Sequence, residues 1–132
     1  MDYRVDEKAR YAKTHEWVRL EGDVATIGIT DFAQGELSDI VYVEITALGK
    51  TIKRDEPLGT IEAVKAVSDL YSPISGHVFA ANDALKDSPA TVNKDPYGGG
   101  WMAKIKVSDP TELKNLLDAT AYAELATRSA HH

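Results

Sequence analysis

Lys65 is the residue of this sequence best placed to do chemistry. It stands between two short apolar runs in Gly59-Thr60-Ile61-Glu62-Ala63-Val64-Lys65-Ala66-Val67-Ser68-Asp69-Leu70-Tyr71-Ser72-Pro73. Ile61, Ala63 and Val64 precede it, Ala66, Val67 and Leu70 follow, and Gly59 and Pro73-Ile74-Ser75-Gly76 bound the stretch as a β-hairpin. A lysine at the tip of such a hairpin is open to a modifying enzyme, and a long covalent arm attached there has room to leave the surface. The plainer reading is a solvated turn residue, since lysines are normally exposed. Glu62 and Asp69 flank the lysine and are a candidate acid-base pair, but the motif holds no histidine and the hairpin offers no evident pocket. A negatively charged recognition surface for modifying enzymes and partners suits these two acids better.

Other chemistries find little support. The chain has no cysteine, which excludes a disulfide framework, a thiolate metal site and a cysteine nucleophile, so any thiol chemistry must come from a prosthetic group. Apart from the terminal His131-His132, the only histidines are His15 and His77, too few and too distant in sequence for an obvious metal site; packing or surface roles are expected, and no metal. Gly98-Gly99-Gly100 lacks the strand-before and helix-after context of a nucleotide loop and reads as a backbone bend. Trp17 and Trp101 lie in apolar-rich strands and read as core, and no serine nucleophile elbow is present.

The elements that must position Lys65 belong to a soluble, ordinary composition. A chain of 132 residues fits one domain, and folding at this size buries roughly two thirds of the unfolded surface. The content is 43% hydrophobic and 27% charged, and no apolar run approaches the roughly 20 residues needed to cross a bilayer. A formal charge of −6 repels phosphate backbones and anionic membrane surfaces, so neither nucleic acid nor membrane is expected as a partner. The opening residues mix acids with bases and have no apolar core, unlike a signal or transit peptide, and place the chain in the cytoplasm.

Tyr3, Val5 and Tyr11 are the expected anchors of a polar stretch over residues 1–13. Residues 14–20 and 24–29, around a Gly-Asp turn, read as an antiparallel hairpin. A single helical turn is expected over 30–37, with Thr30 or Asp31 as its cap. In the strand 40–45, alternation places Val41, Val43 and Ile45 on one face and Ile40, Tyr42 and Glu44 on the other. Turns follow at Leu48-Gly49-Lys50 and at 53–57, a strand at 76–82, a loop over 82–95 and a half-buried strand over 101–107. Asp109-Pro110-Thr111-Glu112 then has the form of a capped helix start, with Leu113, Leu116 and Leu117 on one face. Thr120 is the expected cap of a second helix carrying Tyr122 and Leu125.

Leu37-Ser38-Asp39-Ile40 matches Val67-Ser68-Asp69-Leu70 at a shift of 30, a weak internal repeat. Two related β halves suggest a mainly β fold, a small flattened barrel or sandwich with pseudo-twofold symmetry and short C-terminal helices.

The segment from Glu62 to Gly76 resembles the lipoyl-attachment segment of the glycine cleavage system H-protein family. His15-Glu16-Trp17-Val18, Gly28-Ile29-Thr30-Asp31-Phe32-Ala33-Gln34, Asp39-Ile40-Val41-Tyr42-Val43-Glu44, Val92-Asn93, Asp95-Pro96-Tyr97-Gly98 and Gly100-Trp101 fall in the family's order. The resemblance runs from about Tyr11 to the C-terminal helices. Two positions depart from it, with Ala63 where the family usually has serine and Ser38 where it usually has glycine.

The resemblance implies a flattened barrel-sandwich of the lipoyl/biotinyl-carrier type, one domain over 1–132 with a core at about 14–107 and a helical extension at about 109–128. It implies lipoic acid in amide linkage to Lys65, recognised through Glu62, Val64, Ala66, Ser68 and Asp69, on a monomeric, non-catalytic shuttle. Its implied partners are a pyridoxal-phosphate glycine decarboxylase (P protein), a tetrahydrofolate-dependent aminomethyltransferase (T protein), dihydrolipoyl dehydrogenase (L protein) and lipoate-attaching enzymes. Location would be the bacterial cytoplasm, or the mitochondrial matrix in a eukaryote. Glu16 and Asp69 are candidate acids for shielding the amine of the loaded arm. The alternatives are a lipoyl-relay protein of the same type, or a lipoyl or biotinyl module of another complex. Val64 and Ala66 replace the methionines usual beside a biotinyl lysine.

Overall fold

A computed structural model describes residues 3–130, so His131-His132 lie outside the described residues. Runs of β-branched and alternating residues form strands β1 (Arg10–Tyr11), β2 (Glu16–Glu21), β3 (Val24–Ile29), β4 (Ile40–Glu44), β5 (Thr51–Ile52), β6 (Pro57–Ala63), β7 (Val67–Tyr71), β8 (Gly76–Ala81) and β9 (Ala103–Val107). They pair antiparallel in a six-stranded sheet, β1-β2-β3-β9-β8-β5, and a three-stranded sheet, β4-β6-β7. The molecule is mainly β, a flattened barrel-sandwich.

The side-chain period of two gives each sheet an apolar face. Val18, Ala25, Ile27, Val78 and Ile105 of the larger sheet join Ile40, Val43, Leu58, Ile61 and Leu70 of the smaller in one buried core. Trp17 points to the other side of the larger sheet, where Tyr11, Phe32, Tyr122 and Ala126 form a second, aromatic cluster. The Trp17 ring is why position 28 holds glycine, since a Cβ there would lie 2.8 Å from it. Tyr3 and Val5 pack against this cluster as anchors of the N-terminal stretch, and helix α4 (Ala119–Ala130) contributes Tyr122, stacked on Tyr11 at 4.5 Å.

Several expectations need correction. In β4 a bulge at Val41 breaks the alternation: Ile40 pairs with Ala63 and Tyr42 with Glu62, so Ile40 and Val43 face the core while Val41 and Tyr42 are exposed. The stretch 82–95 is not a plain loop but carries two helical turns, α2 (Ala84–Asp87) and α3 (Thr91–Lys94), each driving one apolar residue, Leu85 or Val92, into the core. Pro110–Asn115 is a short 3₁₀ helix that ends before Leu116, because Leu117 leaves to pair with Tyr11. Asp109 caps it as expected, accepting from the Thr111 N–H, but Glu112 accepts from the N–H and hydroxyl of Ser75 instead of closing a capping box. Asp118, not Thr120, caps α4, through the Ala121 N–H at 2.8 Å.

Helix α1 (Asp31–Leu37) has the Thr30 cap that the sequence suggested, with the Ala33 N–H donating to Thr30 Oγ1 at 3.1 Å. It is also where the repeat fails locally. Leu37 ends this helix, whereas its match Val67 begins β7.

Candidate functional site

Strands β6 and β7 form the predicted hairpin, in the register Thr60 to Asp69, Ile61 to Ser68 and Glu62 to Val67. The Ala63 N–H donates to the Ala66 carbonyl at 2.8 Å and closes a turn with Val64 and Lys65 at its tip. None of these four residues has a positive φ, so the tip is not one of the primed turns that usually close two-residue hairpins. An outside contact holds it instead: the Val64 N–H donates to the Asp39 carbonyl at 3.0 Å, just ahead of β4. Lys65 itself is exposed and forms no ion pair among the described residues.

The predicted recognition residues divide. Glu62, Val64 and Ala66 are exposed on the hairpin, Val64 being 70% accessible. Val41, Tyr42 and Val67 are exposed on the same sheet, as are the acids Glu44 and Glu62, and Asp39 is exposed just ahead of β4. Ser68 and Asp69 turn instead to a cleft of about 180 Å³, whose walls include Glu16, Ile29, Phe32, Leu37 and Ile61. Asp69 is four residues from Lys65, about 13 Å along an extended strand. Ala63, one of the two family departures, is buried at the base of the turn opposite Ile40 and presents nothing to the surface.

Glu16 begins β2 and is only 2% exposed. It accepts from the Thr14 hydroxyl and from the Tyr71 N–H at 3.3 Å. Burial penalises the carboxylate more than these bonds favour it, and its pKa is pushed up to about 7. The Tyr71 hydroxyl donates to Asp69 at 3.4 Å, so one residue of β7 touches both acids. Apolar walls with two carboxylates suit a hydrocarbon arm ending in an amine. The exposed lysine turn and the cleft would suit a lipoyl group attached at Lys65.

His15, for which a packing or surface role is expected, packs on Phe32 and Tyr122 and also lines this cleft together with Thr14 and Glu36. The polar run Thr14-His15-Glu16 at the start of a buried strand is the available signal. His77 is exposed and bonded to Thr51, and no group of acids and histidines with metal-ligand spacing occurs among the described residues.

Two antiparallel sheets closed on one core, with an exposed lysine on a fixed hairpin tip, define a carrier domain of the lipoyl/biotinyl kind. The sequence profile of the glycine cleavage H-protein family matches residues 9–129. The chain belongs to that family. It is 50% identical over 124 residues to the glycine cleavage system H protein of Bacillus mycoides (strain KBAB4), covering 94% of this chain and 98% of the relative. Identity to that of Bacillus cereus (strain B4264) is 49% over the same span and coverage. The crystal structure of a glycine cleavage system H protein from Mycobacterium marinum is similar at a TM-score of 0.79 and 35% identity, over 91% of this chain and 97% of that one.

Proposed function

We propose that this chain is the lipoyl-bearing shuttle of glycine cleavage. It carries the aminomethyl group from the glycine decarboxylase to the tetrahydrofolate-dependent aminomethyltransferase and is then reoxidised by dihydrolipoyl dehydrogenase. Lipoic acid, bound as an amide to Lys65, supplies a dithiolane that opens to take up a one-carbon unit and closes again on oxidation. The chain supplies no catalytic group of its own. It acts as one unit over 1–132, working in the cytoplasm with these three enzymes and a lipoate-attaching enzyme.

The observation that carries this reading is the pairing of an exposed, fixed Lys65 with an acid-lined cleft four residues further along β7. Glu62, Val64 and Ala66 present the turn to the attaching enzyme. Glu16 and Asp69 receive the cationic amine between enzymes, and the apolar walls of Ile29, Phe32 and Leu37 keep water from it. Mass spectrometry of protein from its native cells tests the attachment: a lipoyl mass on Lys65 is expected, and a biotinyl mass or bare lysine throughout overturns it. Reconstituted glycine decarboxylation, with Lys65→Arg as control, separates the shuttle from a lipoyl-relay protein, for which no turnover is expected.

A further inference from the structure

Asn93 of α3 belongs neither to the cleft nor to the lysine hairpin, yet its side chain grips the chain on both sides of Asp39. The Ile40 N–H donates to Asn93 Oδ1 at 3.0 Å, and Asn93 Nδ2 donates to the Ser38 carbonyl at 2.8 Å. Nδ2 also donates to Gln34 Oε1 at 2.9 Å, and Gln34 Nε2 donates in turn to Asp31 Oδ1 at 2.8 Å. The orientation of the Asn93 amide is fixed by its partners, because the Ile40 N–H can only donate and the Ser38 carbonyl can only accept. Both Nδ2 hydrogens are therefore used, and the group is locked to α1 as well as to the start of β4. Val92, the preceding residue, is fully buried in the core and seats α3 so that Asn93 can reach across.

Asp39 lies between the two gripped residues, and its carbonyl accepts from the Val64 N–H at 3.0 Å, next to Lys65. No primed turn holds the hairpin tip, so its aim depends on that carbonyl. The segment that supplies the carbonyl does not favour its own path either. Ser38, at φ 64° and ψ −147°, occupies a region that suits glycine and must be restrained from outside. One amide bonded to both Ser38 and Ile40 is such a restraint. We propose that Asn93 is a positioning residue for attachment at Lys65, fixing the Asp39 carbonyl from which the lysine turn is held, a role that rests on the proposed lipoylation of this lysine.

The attaching enzyme binds the turn only when it is correctly presented, and an apparent dissociation constant rises as the competent fraction falls. Loss of the Asn93 bracket should thus raise KM for the protein substrate and spare kcat, since Lys65 and the exposed Glu62, Val64 and Ala66 are unchanged. Asn93→Asp keeps the shape and the acceptor for Ile40, but sets an oxygen against the Ser38 carbonyl. Asn93→Ser removes the bracket without adding charge.

The test is steady-state lipoylation of the full chain by a lipoate-attaching ligase with lipoate and ATP, read by intact mass. Ile105→Val, which thins the core in the other sheet, serves as the control for lost stability. Support is a KM about fivefold above the parent in both Asn93 variants, with parent values in the control. Backbone amide exchange followed by NMR gives a second measurement. In Asn93→Ser the Val64 N–H should lose protection relative to the Met102 N–H, which is bonded to the Ile27 carbonyl. In the parent itself the Asn93 Nδ2 hydrogens should exchange slowly, and exchange at the rate of a free amide would overturn the bracket without any variant. An unchanged KM, a KM raised as far in Ile105→Val, or equal loss of protection at Val64 and Met102 would overturn the positioning role and leave Asn93 a general stabiliser. Failure of the parent to take lipoate at Lys65 would overturn the reading of the site, and this role with it.

Discussion

Lys65 stands on a turn built from consecutive residues, exposed and pinned by one outside carbonyl, whereas Glu16 is 2% exposed in a cleft assembled from β2, β3, α1, β6 and β7. The turn needs access, so almost nothing touches the lysine. The cleft needs desolvation, so its acid gives up part of its charge for a place among apolar walls. Under the proposed function, attachment and protection are thus separated along one hairpin, and each can be broken alone.

Lys65→Arg breaks the turn's function most completely. Arginine keeps the charge but cannot accept a lipoyl amide under the geometry of a lysine-specific enzyme. No lipoyl mass and background turnover in the reconstituted assay are expected. Urea unfolding should stay within about 0.5 kcal/mol of the parent, as for an exposed side chain without partners.

Gly59→Ala attacks the frame that both regions share. A Cβ at Gly59 would sit 2.0 Å from the Glu44 carbonyl of the neighbouring strand, backbone against side chain with no flexible group to yield. Denaturant titration should show a loss of about 3 kcal/mol, and lipoylation and arm protection should fall together.

Glu16→Gln singles out the cleft. The Glu16 pKa is raised from 4.5 to about 7, so the native state holds its proton more tightly than the unfolded chain. Stability at this group is therefore full below pH about 4.5, falls as pH rises, and reaches its low plateau above about 7, a total of about 3 kcal/mol. The glutamine variant should lose that slope, becoming relatively more stable at pH 8 as read from unfolding midpoints. Hydrolysis of the loaded arm should meanwhile rise about tenfold, the worth of one charge-assisted hydrogen bond, with lipoylation of Lys65 unchanged.

This contrast also explains what the sequence could disclose. The lysine hairpin is local, and its apolar flanks, glycine and proline stand within a few residues of the tip, so composition and spacing alone outlined it. The β2-β3 hairpin and the Thr30 cap were legible for the same reason. The cleft depends on long-range pairing: Tyr71 reaches Glu16 across 55 residues and Tyr122 reaches His15 across 107, separations that periodicity does not encode. The spacing of the hairpin singles out Asp69 as an acid flanking the lysine, whereas a shielding role for Glu16 and Asp69 comes only through family resemblance. The helical turns at 82–95 escaped because each is anchored by a single apolar residue, too few to show a period. Leu113, Leu116 and Leu117 did show one, but a pairing of Leu117 with Tyr11 won over continued helix.

Ser38→Gly gives the smallest effect and tests whether turn and cleft are coupled. Ser38 closes α1 at φ 64° and ψ −147°, a region open almost only to glycine, which is the residue the family usually has here. Its carbonyl accepts from the Asn93 amide at 2.8 Å and its N–H donates to the Gln34 carbonyl at 3.0 Å, so the surroundings impose the conformation. Relief of about 2 kcal/mol of strain, less about 1 kcal/mol for the freer unfolded glycine, leaves a gain of about 1 kcal/mol, or about 4 °C in melting temperature. Ser38 lies between the helix that walls the cleft and Asp39, whose carbonyl holds the lysine turn. A gain in stability with unchanged arm hydrolysis would mean that the two regions are independent. A gain accompanied by slower hydrolysis would mean that the strained serine loosens the cleft wall.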